Sequence, residues 1–436
     1  TLFRSYNIYS SEWPVANRAI ELYLQKKSEN EGWERQINGL SNNEKANLLL
    51  EKHTFKELLA DVEQRNLQNN IVGLEASRLF ARSEINMGVD AFRDSLYAML
   101  KRNTFLNIKF ENMLDTLGEM SRTDLYSYLK EWEQLTPLPF YSIGEPELTK
   151  VVNKGGEEFF VLKVLVSNNS DYDGIIQMNV LQNGWWYQPM EDPRARKKVE
   201  IAAHTSKEFV SVWEEQIRDV EINTMVSGNL PYMIRQSIGN VKQERNKIVK
   251  DTIYTLPESS LEMPGEVIVD NEDSTLFVLS TPAVVGLLPK WLDKVEDTSF
   301  KYSGISWWRA PLQWTATTNA KYYGKYIRSA YVIKSGDGSQ TATWKIPVPE
   351  AGQYELYYHV FKDDELRWND RLQGEYHFRV AYDSEMEDAY INLRKANEGW
   401  EQLGTYYFSA DTVRVVLTDE CKLRSVTADA VKIVKR

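Results

Sequence analysis

The chain has 436 residues, 42% hydrophobic and 12% aromatic, a globular composition with room for roughly two to four separate cores. Its formal net charge of −11 argues against a nucleic-acid or anionic-membrane partner, because phosphate recognition needs a basic face. One cysteine, Cys421, excludes an intramolecular disulfide and leaves the redox compartment open. No apolar run reaches the ~18 residues of a membrane span. The chain starts at Thr1 rather than Met and reads as a piece of a longer protein.

Val15, Ala19, Leu22 and Tyr23 share one face of a first predicted helix, with Pro14 suited to its first turn. Glu29 to Asn43 is polar and turn-rich, and Ser41 and Glu44 have capping-box spacing before Leu49, Leu50 and Leu58. Three amphipathic helices follow. Val89, Phe92, Leu96, Tyr97 and Leu100 form one apolar stripe. Phe110, Met113, Leu114 and Leu117 form the next, and Leu125, Tyr128, Leu129 and Trp132 the last. Ser121 and Asp124 have helix-start spacing, and Pro137 and Pro139 stop the final helix.

This helix order, with Gly73 heading one helix, Val89-Asp90-Ala91-Phe92-Arg93, and Asp124-Leu125 leading to Trp132 and Pro139, resembles the helical end of gluzincin aminopeptidases. The resemblance implies a helix in which a Glu would supply the third zinc ligand. Here the phrase is Asn17-Arg18-Ala19-Ile20-Glu21-Leu22-Tyr23, and Arg18 stands at the ligand position. Arg carries a fixed positive charge and offers no lone pair to a metal. Asn70 stands where the family has its catalytic Tyr. The four histidines, His53, His204, His359 and His377, include no H-E-x-x-H pattern. The region therefore reads as a degenerate peptidase domain with no catalytic residue, metal or cofactor, and Glu21 as a surface residue.

After Pro139 the apolar period changes to alternation. Phe159 to Val166 is nearly all apolar, and Ile176, Met178 and Val180 alternate with Gln177 and Asn179 across an Asn-Asn-Ser-Asp turn. Further strands are predicted at Val199–Ala202, Phe209–Trp213, Val220–Asn223, Val267–Val269 and Leu276–Leu279. Short strands at this spacing predict a β-sandwich. Gly239 to Thr252 is a charged insertion, expected to be helical or mobile. Trp185-Trp186-Tyr187 suits an inter-domain contact, and Leu287 to Phe300 a linker.

From about Gly304 a new module begins. Trp344 precedes a Pro-Glu-Ala-Gly-Gln-Tyr turn at 349–354. Gly399-Trp400-Glu401-Gln402-Leu403-Gly404 leads to Phe408, and Ala428-Asp429-Ala430-Val431 closes the pattern. These phrases resemble the golvesin-type C-terminal domain, a xanthan-lyase carbohydrate-binding-like β-sandwich. The departure is Tyr390-Ile391-Asn392-Leu393, where relatives tend to carry an Asp-Gln pair. Trp344, Trp400 and Phe408 are expected in the core. Tyr357, His359, Trp368 and Tyr376 are the candidates for a carbohydrate-binding surface cluster, because aromatic faces stack on sugar rings as readily as they pack in cores.

The expected architecture is multidomain α+β: an N-terminal α-helical domain (1–142), a β-sandwich (143–300) and a golvesin-like β-sandwich (301–436). Three functions fit this pattern. One is a non-catalytic extracytoplasmic scaffold segment of a larger bacterial protein. Another is a module that recognises an extracellular glycan or protein. The third is the downstream part of a zinc aminopeptidase whose metal site lies before residue 1. The resemblances imply a periplasmic or cell-surface location and a parent protein that could be membrane-anchored.

Overall fold

A computed structural model describes residues 6–25, 31–181, 192–245, 249–259, 261, 265–280, 300–305, 309–362, 374–383 and 385–436. The chain forms two compact units. One comprises Thr1–Glu29 with Asn42–Leu261, the other Asn30–Ser41 with Glu262–Arg436. The structure is mostly β with several sheets, and its helices lie in the N-terminal part. No described helix is long and apolar enough to cross a membrane.

The described helices are α1 (Ala16–Leu24), α2 (Glu31–Asn38), α3 (Asn42–Leu50), α4 (Phe55–Ala60), α5 (Gln68–Met87), α6 (Val89–Arg102), α7 (Phe110–Ser121) and α8 (Leu125–Leu129). A 3-10 turn, Lys130–Glu133, extends α8. The stripes on α6 and α7 bury Phe92, Leu96, Leu100, Phe110, Met113, Leu114 and Leu117, whereas Tyr97 stays exposed. Trp132 closes the bundle, with Phe55 and Trp13 ring centroids 4.6 and 5.1 Å away. Burial of such rings supplies the main stabilisation of short helices, whose intrinsic propensity is marginal. One cap differs from expectation. Ser121 ends α7, and Asp124 alone caps α8 by accepting from the Ser127 amide. A capping box is present at α4, where Thr54 and Glu57 exchange bonds.

Strands β1 (Asn7–Tyr9) and β2 (Asn107–Lys109) pair in parallel beside the helices. The first unit continues through β3 (Tyr141–Ile143), β4 (Glu147–Val152), β5 (Glu158–Asn168), β6 (Gly174–Leu181), β7 (Arg196–Ile201), β8 (Thr205–Trp213), β9 (Asp219–Asn223), β10 (Met233–Ser237), β11 (Val241–Arg245) and β12 (Thr252–Pro257). One sheet has the order β11-β4-β5-β8-β12, with β3 also on β5, and the other β10-β9-β6-β7. Leu162, Val164 and Val166 of β5 share a buried cluster with Ile176, Met178 and Val180 of β6. The charged stretch expected to be helical or mobile instead contributes β11, paired in parallel with β4. Its exposed polar side chains suit an edge strand. Trp185-Trp186-Tyr187 and most of the predicted linker lie outside the described residues.

A buried ion pair ties the helices to the second of these sheets. Lys198 of β7 bonds Glu84 of α5, with side-chain exposures of 6% and 1%. The Tyr23 hydroxyl of α1 donates to the other Glu84 oxygen at 2.8 Å. Burial, and then the Glu84 charge, push the Tyr23 hydroxyl well above its ordinary pKa. Buried charges of this kind are tolerated only as pairs with their remaining lone pairs satisfied.

The second unit holds β13 (Glu266–Val269), β14 (Phe277–Leu279), β15 (Thr315–Thr318), β16 (Ser329–Lys334), β17 (Thr341–Pro347), β18 (Gly352–Val360), β19 (Glu375–Tyr382), β20 (Glu385–Asn392), β21 (Gly399–Phe408), β22 (Thr412–Thr418), β23 (Ser425–Ala428) and β24 (Val431–Lys435). Its sheets run β13-β24-β18-β21, β14-β17-β22-β19-β20 and β15-β16-β23. Trp344, Tyr354, Tyr358, Phe378 and Phe408 lie in one buried cluster drawn from the first two sheets. Strands β13 and β14, expected in the middle sandwich, pair with β24 and β17 instead. Pairing across so long a sequence separation leaves no local signal. Helix α2 also belongs to this unit, in a stretch read as turn-rich. It buries no side chain and docks through backbone. A Cβ on Gly304 would stand 1.9 Å from the Ile37 carbonyl oxygen, and one on Gly39 2.4 Å from Ser303. The Thr318 hydroxyl donates to the Gly39 carbonyl.

Two outcomes are expected. Lys198→Met leaves Glu84 buried without a counter-charge, and should cost about 3 kcal/mol in chemical denaturation. Adding Glu84→Gln should restore much of that loss, and additive losses would contradict the pairing. The second concerns His204, at a φ of 53°, which sits between Asp171 and Glu258, 2.8 Å from each. Its bond to Asp171, and then that to Glu258, raise its pKa. A raised folded-state value gives stability that is complete below the ordinary imidazole pKa of about 6.5. That stability is lost as pH rises through the folded value. His204→Asn, which tolerates this backbone, should lower Tm most at acid pH. A deficit that grows with rising pH would refute the linkage.

Candidate functional site

Strand β18 positions the residues of interest. Tyr354, Leu356, Tyr358 and Val360 turn inward, while Glu355, Tyr357 and His359 turn outward. On one side β24 sets Lys432 opposite Tyr357. On the other, β21 sets Gln402 opposite Tyr357 and Trp400 opposite His359.

The outward position of Trp400 follows from a β-bulge. Phe408, Tyr406 and Gly404 pair with Gly352, Tyr354 and Leu356, but the next pair is Gln402 with Tyr357. Leu403 is the extra residue, and it reverses the facing of everything before it. Phe408 is therefore in the core, as expected, and Trp400 is not. Trp400 is half-buried on the outer face.

Trp400, His359 and Tyr323 form an aromatic corner there. Ring centroids lie 5.1 Å apart for His359 and Trp400, 5.0 Å for Tyr323 and Trp400, and 5.8 Å for Tyr323 and His359. Asp429 organises the corner from beneath. It is fully buried, faces His359 Nδ1 at 2.8 Å and accepts from the Tyr323 amide at 3.1 Å. Burial raises the Asp429 pKa, and the His359 charge opposes that shift. Lys432 completes the patch. Its Nζ lies 4.9 Å from the Trp400 centroid and 5.3 Å from that of Tyr357, and pairs with Glu266 at 2.8 Å. The Tyr357 hydroxyl donates to Glu355 at 2.6 Å, a bond that raises its pKa. The result is a set of ring faces of fixed orientation beside ordered polar groups. Such a surface suits stacking on a flat, partly apolar ligand.

The predicted residues divide. Tyr357 and His359 are together on this face. Trp368 lies outside the described residues. Tyr376, expected at the surface, is 3% exposed, and its oxygen accepts from the Thr427 amide. It has the same parity on β19 as Phe378 and Val380, a signal legible in the sequence. Tyr323, Lys432 and Asp429 were not singled out. Asp429 sits in the quoted Ala-Asp-Ala-Val phrase, but its role depends on a loop contact.

In the first unit, Arg18 Nε donates to Asn69 at 3.0 Å, and its NH1 donates to Glu21 at 3.2 Å. Glu21, expected at the surface, is 13% exposed at its side chain and also accepts from Asn17. Asn70 lies in the first turn of α5 and donates to Asn43, which donates in turn to the Tyr232 hydroxyl.

The Golvesin C-terminal domain family matches residues 308–435. No curated protein matches the sequence. Among solved structures, a xanthan lyase from Paenibacillus shares 16% identity over 69% of this chain and 27% of its own, with a TM-score of 0.28. CBM35 from Cellvibrio japonicus Abf62 shares 13% over 26% of this chain and 75% of its own, with a TM-score of 0.18. Legionella pneumophila aminopeptidase A shares 16% over 41% of this chain and 18% of its own, with a TM-score of 0.20. The chain thus spans about a quarter of the length of the xanthan lyase, and its C-terminal region carries a match to the Golvesin C-terminal domain.

Proposed function

We propose that the C-terminal unit is a non-catalytic glycan-recognition module within a larger extracytoplasmic bacterial protein. In this reading the facing sheets of each unit close as β-sandwiches, and the helical region is a degenerate relative of gluzincin aminopeptidases. The observation that carries the proposal is the aromatic corner of Tyr323, His359 and Trp400, held from beneath by buried Asp429. The match to the Golvesin C-terminal domain supports it. Asp429 accepts from both His359 and Tyr323, so it orders the face rather than offering an open carboxylate. Affinity should be modest, because a shallow site buries little area.

A glycan array followed by calorimetry on the full chain tests this. Trp400→Ala and Tyr323→Ala should each weaken polysaccharide binding by about tenfold, or 1.4 kcal/mol. Tyr390→Ala, exposed on β20 of another sheet, should leave it unchanged. Binding indifferent to Trp400 would sink the assignment of the site.

The degenerate reading of the helical region has its own check. A catalytic zinc needs three protein ligands and an open position, and Arg18 places a fixed cation bonded to Glu21 at one of them. After dialysis against zinc, metal analysis should find less than stoichiometric metal, with no aminopeptidase turnover. Stoichiometric zinc with turnover would favour the enzyme reading.

A further inference from the structure

The aromatic corner is one end of a longer row. Strand β18 turns Gln353, Glu355, Tyr357 and His359 outward, a run of about 20 Å at roughly 3.4 Å per residue. Beside it, β21 sets Tyr407 opposite Gln353, Thr405 opposite Glu355, Gln402 opposite Tyr357 and Trp400 opposite His359. The bulge at Leu403 is what brings Gln402 and Trp400 to the face that Thr405 and Tyr407 already hold. Tyr407 is 64% exposed and stands at the end of the row away from Trp400, with Tyr357 between them. Strand β21 is the last of its sheet, so the row runs along an open edge.

The charges of this face are matched within it. Lys432 pairs with Glu266 at 2.8 Å, and Arg436 with Glu355 at 3.2 Å. Glu355 also accepts from the Tyr357 hydroxyl. A chain that repeats a negative charge along the row would have to compete with these carboxylates for the same two cations. The remaining polar groups are uncharged. Gln353, Gln402 and Thr405 are exposed, and Gln402 donates to Thr405 at 3.1 Å. Amides and hydroxyls both give and accept hydrogen bonds, as the hydroxyls of a neutral sugar require.

We infer that the ligand of this face is a linear, uncharged polysaccharide that lies along β18 and β21 from Trp400 to Tyr407. The inference rests on the glycan-recognition reading of the corner, and adds the substrate class and the direction of the chain. Ring faces at both ends of the row, with Tyr357 and neutral polar groups between, suit a run of several sugar rings. A single sugar or a chain end would be served by the corner alone and would leave Tyr407 unused.

Calorimetry of the full chain with cellohexaose, xylohexaose and mannohexaose tests it, against the three matching disaccharides and hexagalacturonate. At least one neutral hexasaccharide should bind saturably, at least about tenfold more tightly than its own disaccharide and than hexagalacturonate. Tyr407→Ala should weaken that hexasaccharide by about five- to tenfold, the scale of one stacked ring, and leave the disaccharide unchanged. Trp400→Ala should weaken both. Binding that needs Trp400 but is equal for the two lengths, indifferent to Tyr407→Ala, or tighter for hexagalacturonate would overturn this inference and leave the corner as a recognition site. Absence of any binding that depends on Trp400 would overturn both.

Discussion

The extra residue in strand β21 governs the outer face of the C-terminal unit. A β-strand alternates its side chains, so Trp400 and Phe408, eight positions apart, would point the same way in a regular strand. The bulge at Leu403 separates them. Phe408 joins Tyr354 in a stacked core contact, and Trp400 meets His359 and Tyr323 outside. Without the bulge, either Trp400 would enter a core already filled by Trp344 and Tyr358, or Phe408 would leave it. The position of Lys432 over Trp400 depends on that register.

Polar groups buried beneath order do comparable structural work in both units. Asp429 lies under the aromatic corner with its oxygens satisfied by His359 and the Tyr323 amide. Glu84 lies between α5, β7 and α1 with its oxygens satisfied by Lys198 and Tyr23. In each case a buried carboxylate is tolerable because its partners are complete, and the geometry of those partners is then fixed. The Tyr141 hydroxyl, by contrast, is one of several buried side-chain atoms among the described residues that have no hydrogen-bond partner.

Much of this was legible in the sequence where local periodicity decides structure. The stripes of α6 and α7, the alternation of β6 and the core position of Trp344 were all readable. Helix α2 was not, because it buries no side chain and so has no apolar stripe. Strand β11 was hidden by its charge, which suits an edge but imitates a helix or loop. The partners of β13 and β14 were hidden by sequence distance. Trp400 was misplaced because a bulge leaves no compositional mark beyond the ordinary Leu403-Gly404 pair. Tyr376 was misplaced although its parity with Phe378 and Val380 pointed inward.

The central claim is that the outer face around Trp400 contacts glycan. Selective labelling of the indole nitrogens gives the most direct test. The chain has 13 tryptophans, and two serve as opposite markers. Trp400 is on the proposed face. Trp344 is fully buried, with its indole N–H donated to the Asp429 carbonyl. Titration with a polysaccharide that binds the chain should shift the Trp400 resonance, assigned through Trp400→Phe, and leave that of Trp344 nearly still. A bound polysaccharide that leaves the Trp400 resonance unmoved would contradict the account.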